Sequence, residues 1–495
     1  MKLSYFLPRL VVLALTLCGF PAKAENISDL AEGFELRVPG KTVEIAGEWN
    51  QEWVVPTPAG TPGHLQDLRV GLRLGGFQVA PGGLTLKDPR IEIRASRWRY
   101  QKPPFLDVEC TNIRVDLAPG GLQAPWVNGL SVDWQRSENG PSTALVTGDL
   151  ESSVDGALRP LFSATALQNS LKLQADCPGN TSEILESSLR AWLADWPAKE
   201  ASRWAELRTT AANWGREAAG KGLSGVLDRL PRGSARRARL TLLKTPTGYW
   251  VLRGGDAQDF LSSAARASLS PRPTDAEIVL SSGFLANAGR LALVGLFGQS
   301  IELSQTMRAE DLRAYLPEAA SLPPSTGLHF RFDPLGCPTD AKAFRARPWL
   351  SASGVDRGID LFMTPTLEIV DTGSGSLVAK RRFPLELRFR LPRANTPTGG
   401  AASFGFAGGR WRSEDTDDGS CALTALPPEL GATVDWVLNS ELIQNFAHEH
   451  LLLPSFQGHG DLWAKLRVLG QANYPNRRAA GGYYGEALVL SVKLP

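Results

Sequence analysis

The sequence contains no complete catalytic motif. There is no Gly-x-Ser-x-Gly elbow and no Gly-rich phosphate loop, which removes the commonest signals for nucleophilic hydrolysis and nucleotide chemistry. Asp371-Thr372-Gly373-Ser374, preceded by Ile369-Val370, matches the active-site loop of pepsin-like aspartic proteases. A single-chain enzyme of that kind needs two such loops so that two aspartates share a proton, and no second Asp-Thr-Gly or Asp-Ser-Gly occurs. A tight turn between two strands is the simpler reading of these residues. An excess of one charge is also missing: 53 basic residues face 51 acidic ones, a net charge of +2, which argues against a general nucleic-acid binder. Past the N-terminus no apolar run reaches the roughly 20 residues a membrane-spanning helix requires.

Cysteine is scarce. Apart from Cys18 the chain carries Cys110, Cys177, Cys337 and Cys421, and no two of these stand at the close spacing of a zinc site. In an oxidising compartment they would pair, with three connectivities open; sequential pairing places one bridge in each half, and free buried thiols are the alternative. The first residues favour that compartment. Lys2 and Arg9 lie ahead of an apolar run, Leu10–Leu17, and Ala22-Lys23-Ala24 supplies a small-x-small cleavage pattern, so residues 1–24 read as an export signal. The expected location is periplasmic or extracellular, without a membrane anchor. No cofactor and no metal are expected.

What is present is alternation. Leu68, Val70, Leu72 and Leu74 share one strand face while Arg69 and Arg73 take the other. Ile91 and Ile93 repeat the pattern, as do Leu106, Val108 and Cys110, then Ile113, Val115 and Leu117, then Leu171, Leu173, Ala175 and Cys177. One apolar and one polar face predict antiparallel sheet solvated on one side. A long helical pattern follows, Ser182 to Leu230, with Asn180 and Glu183 at capping-box spacing. Its apolar stripe holds Leu185, Leu189, Trp192, Leu193 and Trp196, is kinked or restarted by Pro197, and resumes with Trp204, Leu207 and Trp214. Gly220, Gly222 and Gly225 should loosen its end. After a border near 268–274 the same grammar returns: strands through Ile359–Met363 and Phe383–Leu391, a helix at Ser440–Leu453, and a closing strand at Ala487–Leu494. The expected class is α+β, mainly antiparallel β, with residues 25–267 and 268–495 as two domains of twisted sheet, each around one amphipathic helix. Such interiors hold apolar ligands.

Three stretches of the second half resemble the family of bactericidal/permeability-increasing and lipopolysaccharide-binding proteins, part of the tubular lipid-binding group. They are Ala276–Leu291 (AEIVLSSGFLANAGRL), Val437–Phe456 (VLNSELIQNFAHEHLLLPSF) and Gly482–Pro495 (GYYGEALVLSVKLP). In the first half only the order of elements and a cysteine before the long helix agree, and the residues after Ala24 depart from the family in lacking an N-terminal helix. The resemblance implies two barrel-like domains, each with an apolar pocket for phospholipid acyl chains, and no catalysis. On that reading Leu185, Leu189, Trp192, Trp196, Trp204 and Leu207 line the pocket. Arg94, Arg97 and Arg99, grouped with Arg90 and Lys102 around Trp98 and Tyr100, would meet anionic head groups at a membrane surface, at about 1 kcal/mol per charge. Lys380-Arg381-Arg382 and Arg229–Arg239 are further basic clusters. Each feature has a plainer reading: the tryptophans as ordinary core, the arginines as a solvated strand face. His448, Glu449, His450, His459 and Asp461 suggest a metal site only if they converge, and alternate helix residues point about 200° apart. The competing functions are a filled, structural envelope protein of the same fold and, further off, an aspartic protease acting through Asp371.

Overall fold

The computed structural model describes residues 33–55, 64–102, 106–127, 129–135, 137, 140–228, 237–244, 248–254, 260–267, 269, 275–287, 301–333, 336, 344–382, 384–390, 405–411, 435, 439, 466–469, 472–474 and 482–493. The chain divides into two compact units. The N-terminal unit comprises Arg37–Leu230 and Arg237–Arg253; the C-terminal unit comprises Met1–Leu36, Pro231–Arg236 and Gly254–Pro495. Both are dominated by antiparallel sheet, with few helices.

The strands of the N-terminal unit are β1 (Phe34–Pro39, whose first residues belong to the other unit), β2 (Val43–Val54), β3 (His64–Gln66), β4 (Arg69–Ala80), β5 (Gly83–Lys87), β6 (Arg90–Lys102), β7 (Leu106–Leu117), β8 (Leu122–Pro125), β9 (Leu130–Gln135), β10 (Thr143–Thr147), β11 (Leu171–Asp176), β12 (Arg237–Leu242) and β13 (Tyr249–Gly254). Among the described residues the main sheet has eight strands in the order β11-β7-β6-β4-β5-β8, with β2 on β4 and β3 on β6. It curls as a half-barrel. Its faces follow the alternation of the sequence: Val70, Leu72, Leu74, Ile91, Ile93, Val115 and Leu117 are buried, while Arg69, Arg73, Arg94 and Arg114 stand exposed. A second sheet runs β10-β9-β12-β13.

Two runs of alternation that look like separate strands, ending at Cys110 and beginning at Ile113, belong to the single strand β7. The phase slips by one residue at Thr111-Asn112, and Asn112 absorbs the slip in a left-handed conformation, φ 51°. Neighbouring strands slip beside it. On β6 the buried positions pass from Ala95 to Trp98, and between β3 and β4 they pass from Leu65 to Leu68 across Asp67, φ 54°. Polar side chains tie this crease together: Ser96 Oγ donates to Asp67 Oδ2 (2.7 Å) and Asn112 Nδ2 donates to Asp176 Oδ2 (2.7 Å).

The helices are α1 (Glu151–Leu158), α2 (Ala164–Ser170), α3 (Thr181–Lys199) and α4 (Ala201–Leu227). The expected long helix is therefore two, parted at Glu200 (φ −109°, ψ 50°), three residues beyond Pro197. Pro197 lacks the amide donor that would continue the ladder, and the chain restarts as soon as that turn is complete. Asn180 does occupy the N-cap, but its side chain makes no capping bond, and the expected capping box does not form. Nor do the glycines loosen the end of α4, which continues to Leu227. They let it approach the sheets. A Cβ on Gly220 would lie 2.3 Å from the Ala144 carbonyl oxygen on β10, and one on Gly222 would lie 3.1 Å from Val79 Cγ1 on β4.

In the C-terminal unit β14 (Asp275–Ser281), β26 (Ala487–Lys493) and β23 (Leu466–Leu469) are neighbours. Two further sheets follow. One orders β15 (Ile301–Arg308), β16 (Gly327–Asp333), β19 (Thr366–Asp371) and β20 (Leu377–Arg382). The other orders β22 (Gly405–Trp411), β21 (Leu385–Arg390), β18 (Arg357–Met363), β17 (Phe344–Ser351), β25 (Gly482–Tyr484) and β24 (Ala472–Tyr474). A short helix covers 282–287. The expected helix Ser440–Leu453, Cys337, Cys421 and the His448–Asp461 group lie outside the described residues.

Candidate functional site

The residues expected to line a pocket come together on the helices of the N-terminal unit. Leu185, Leu189, Trp192, Leu193 and Trp196 are the buried residues of α3, and Trp204 and Leu207 open the buried face of α4. Helical spacing explains this, since residues three and four apart share a face. The rings meet one another and Phe162, which ends the turn Arg159–Phe162 after α1. Phe162 lies 5.4 Å from Trp196 and 5.2 Å from Trp204, the latter edge-on; Trp196 lies 5.9 Å from Trp204 and 6.4 Å from Trp192. Such tilted contacts suit the ring quadrupoles.

The cluster has one polar anchor. Trp204 Nε1 donates to Asp155 Oδ1 on α1 (2.6 Å), and the same carboxylate accepts from Arg159 Nε and Nη2 (2.9 and 3.1 Å). The Arg159 bonds foremost, with help from Trp204, hold the Asp155 carboxyl below the usual range. Arg159 also stacks over the Trp204 ring at 5.6 Å. The other two indoles differ. Trp192 Nε1 and Trp196 Nε1 are buried with no hydrogen-bond partner, an arrangement that costs about 1–3 kcal/mol per donor unless something accepts.

A disulfide joins Cys110 on β7 to Cys177, just after β11 and four residues before α3, and closes a separation of 67 residues. A loop of that length removes chain entropy from the unfolded state worth about 4 kcal/mol in the entropic model. Of the three possible connectivities, the sequential one is realised for this pair. The bridge fits an oxidising compartment.

Arg94, Arg97 and Arg99 project from the exposed face of β6, and each has an acidic partner. Arg94 bonds Glu92 (2.8 Å), Arg97 bonds Glu109 (2.8 Å) and Arg99 bonds Asp107 (2.7 Å). Arg69, Arg73 and Arg114 on the neighbouring strands pair likewise with Glu52, Glu48 and Glu92. Lys380 pairs with Glu368 (2.6 Å), and Arg381 with Glu318.

Asp371 sits at the turn between β19 and β20. Its Oδ1 accepts from Gly373 N (2.8 Å) and its Oδ2 from Ser374 Oγ (2.7 Å), bonds that lower its pKa from the ordinary carboxylate value. This is the hairpin turn that Asp and Gly favour. Among the described residues no group of three His, Cys, Asp or Glu could hold a metal ion, and no helix is long and apolar enough to cross a membrane.

The sequence reading missed a buried charge network in the C-terminal unit. Asp360 on β18 is fully buried and takes both Arg388 Nε (2.8 Å) and Nη2 (2.7 Å) from β21. Tyr484 Oη donates to Asp360 Oδ2 at 3.3 Å, and Glu386, also buried, pairs with Arg410. Burial outweighs the arginine and pushes the Asp360 carboxyl up to about 6. The alternation of Ile359, Leu361 and Met363 with Asp360 predicts a solvated polar face here; instead both faces of β18 are covered.

No family model and no curated protein matches this sequence. Among solved structures the chain is similar to lipopolysaccharide binding protein, at 11% identity and a TM-score of 0.25, over 94% of this chain and 100% of that one. It is also similar to P47 from Clostridium botulinum A2, at 10% identity and a TM-score of 0.22, over 93% of this chain and 97% of that one.

Proposed function

We propose that this chain is an exported, non-catalytic lipid-binding or lipid-transfer protein, with residues 25–267 and 268–495 as two barrel-like domains and acyl chains held between sheet and helix. One observation carries the reading: the apolar face of α3 buries two indole N–H groups, of Trp192 and Trp196, with no protein acceptor. An acyl lipid brings both things that face wants, methylenes worth about 0.8 kcal/mol each on burial and ester or head-group oxygens to accept from the indoles. The family resemblance supports the same ligand class, a phospholipid or another acyl lipid. The name of lipopolysaccharide binding protein points to a lipid ligand as well.

A second reading also has support. Phe162, Trp192, Trp196 and Trp204 already fill space against one another, and glycines bring α4 hard onto the sheets. A structural envelope protein with a filled interior would look like this. Lipid extraction and mass spectrometry of the gently purified protein separates the two. Co-purifying or exchangeable acyl lipid, reduced in a Trp192→Phe/Trp196→Phe variant that keeps the rings and loses the N–H donors, is the expected result. Absence of lipid from every preparation, with no uptake from vesicles, would leave the structural role.

A further inference from the structure

Among the described residues, one face of the sheet β22-β21-β18-β17-β25 carries more arginines than carboxylates, in a place that is not open surface. Cross-strand register aligns Arg347 with Asp360 and Asp360 with Arg388; the next row aligns Arg345, Phe362, Glu386 and Arg410. Among the described residues four arginines thus share the face with two carboxylates. The two acids are engaged by the arginines of the far strands: Asp360 by Arg388, Glu386 by Arg410.

Arg347 is left over. Among the described residues it has no carboxylate partner; its guanidinium lies over the rings of Phe362 (5.3 Å) and Tyr484 (5.4 Å). Two residues along β17, and so on the same face, Trp349 is buried and its Nε1 has no hydrogen-bond partner. Gly358 makes room for this indole, since a Cβ there would lie 2.7 Å from Trp349 Cε2. Arg388 braces its ring at 4.9 Å. A half-buried guanidinium seated against two aromatic rings loses orientational freedom, and the indole N–H two residues along the same strand face adds a neutral donor. That is a receptor for a planar or tetrahedral oxyanion rather than for an apolar chain.

We propose that Arg347 and the Trp349 N–H form a binding site for a phosphate-class oxyanion in the C-terminal unit. The site is built from other residues than the acyl-chain face of α3 and α4, and its occupant is either free phosphate or the phosphate of a lipid head group.

The test uses the whole chain at constant ionic strength, with chloride replaced stepwise by inorganic phosphate, and separately with monomeric dihexanoyl phosphatidic acid added. Tryptophan fluorescence and the melting temperature report binding. Saturable binding of either probe is expected. Inorganic phosphate alone identifies a free anion, and the phosphatidic acid alone identifies a lipid head group. Arg347→Gln should weaken binding about tenfold or more, the loss of a charge-assisted hydrogen bond, and Trp349→Phe by about threefold, the loss of a neutral one. Should Arg347→Gln not fold, Trp349→Phe decides. No saturation beyond chloride, or unchanged affinity in the variant read, overturns the site. Inorganic phosphate has no acyl chain, so this result stands or falls apart from the lipid extraction.

Discussion

The two units use the same ingredients, arginines and carboxylates in cross-strand register on antiparallel sheet, to opposite effect. In the N-terminal unit Arg69, Arg73, Arg94, Arg97 and Arg99 pair with acids on a solvated face, where both partners keep much of their hydration. Exposed pairs of this kind are worth about 0–1 kcal/mol each. In the C-terminal unit Asp360 and Glu386 are taken out of water and Arg388 is partly so, and their attraction must offset a desolvation cost of several kcal/mol per buried ion. The difference teaches that a charged strand face says nothing of stability until its cover is known. An ion pair that is dispensable outside becomes hazardous to break inside.

The contrast can be tested at its strongest point with Arg388→Met. This leaves Asp360 buried beside Glu386 without its two-point partner, and should cost about 3–5 kcal/mol in urea unfolding of the full chain. A loss below about 1 kcal/mol would mean that water reaches the network and that the two faces are alike after all.

Acidification gives a somewhat smaller effect. The Asp360 carboxyl is raised from an ordinary value of 3.8 to about 6, chiefly by burial, against the opposing hydrogen bond from Arg388, and with Glu386 and Tyr484 as further neighbours. The folded state therefore holds this proton more tightly than the unfolded chain. The contribution is fully present below about pH 4 and is lost as the pH rises through about 6, up to about 3 kcal/mol at 1.36 kcal/mol per unit. Urea unfolding at pH 4.5 and pH 7 should show the wild-type protein gaining stability at the lower pH relative to Asp360→Asn. Equal pH dependence in the two proteins would place Asp360 in a wet environment. Asp155 and Glu318, whose carboxyls are held low by arginines, act in the other direction only at still lower pH.

The smallest effect belongs to the outer face. Arg97→Gln breaks the pair with Glu109 and should shift stability by less than about 0.5 kcal/mol. A larger loss would show that the ladder acts as a cooperative network. If the variant instead lost affinity for anionic vesicles while keeping its stability, the arginines would have a head-group role that outweighs their pairing.

Much of the N-terminal unit was legible because its sheet has one wet side. Alternation picks out Val70, Leu72 and Leu74 as core without any knowledge of neighbours, and Pro197 announces the break between α3 and α4. The slip at Asn112 was visible only as two runs of alternation, since a left-handed residue inside a strand leaves no periodic trace. Gly220 and Gly222 read as loosening elements because propensity sees their missing side chain, not the Ala144 carbonyl and Val79 that need the space. The aromatic stripe of the candidate site could be read in advance. The anchoring Asp155 could not, since nothing in the spacing ties α1 to Trp204 across 49 residues.

By itself the sequence determined the antiparallel character of the sheets, the position of the helices in α3 and α4 and the apolar stripe they present, because these depend on periods of a few residues. Tertiary structure alone decided which cysteine met Cys110, which charged faces were covered and which donors, Trp192, Trp196 and Trp349 among them, were buried without a partner. Those outcomes turn on the groups that distant segments bring against a side chain, and on the water they take away, which no local pattern records.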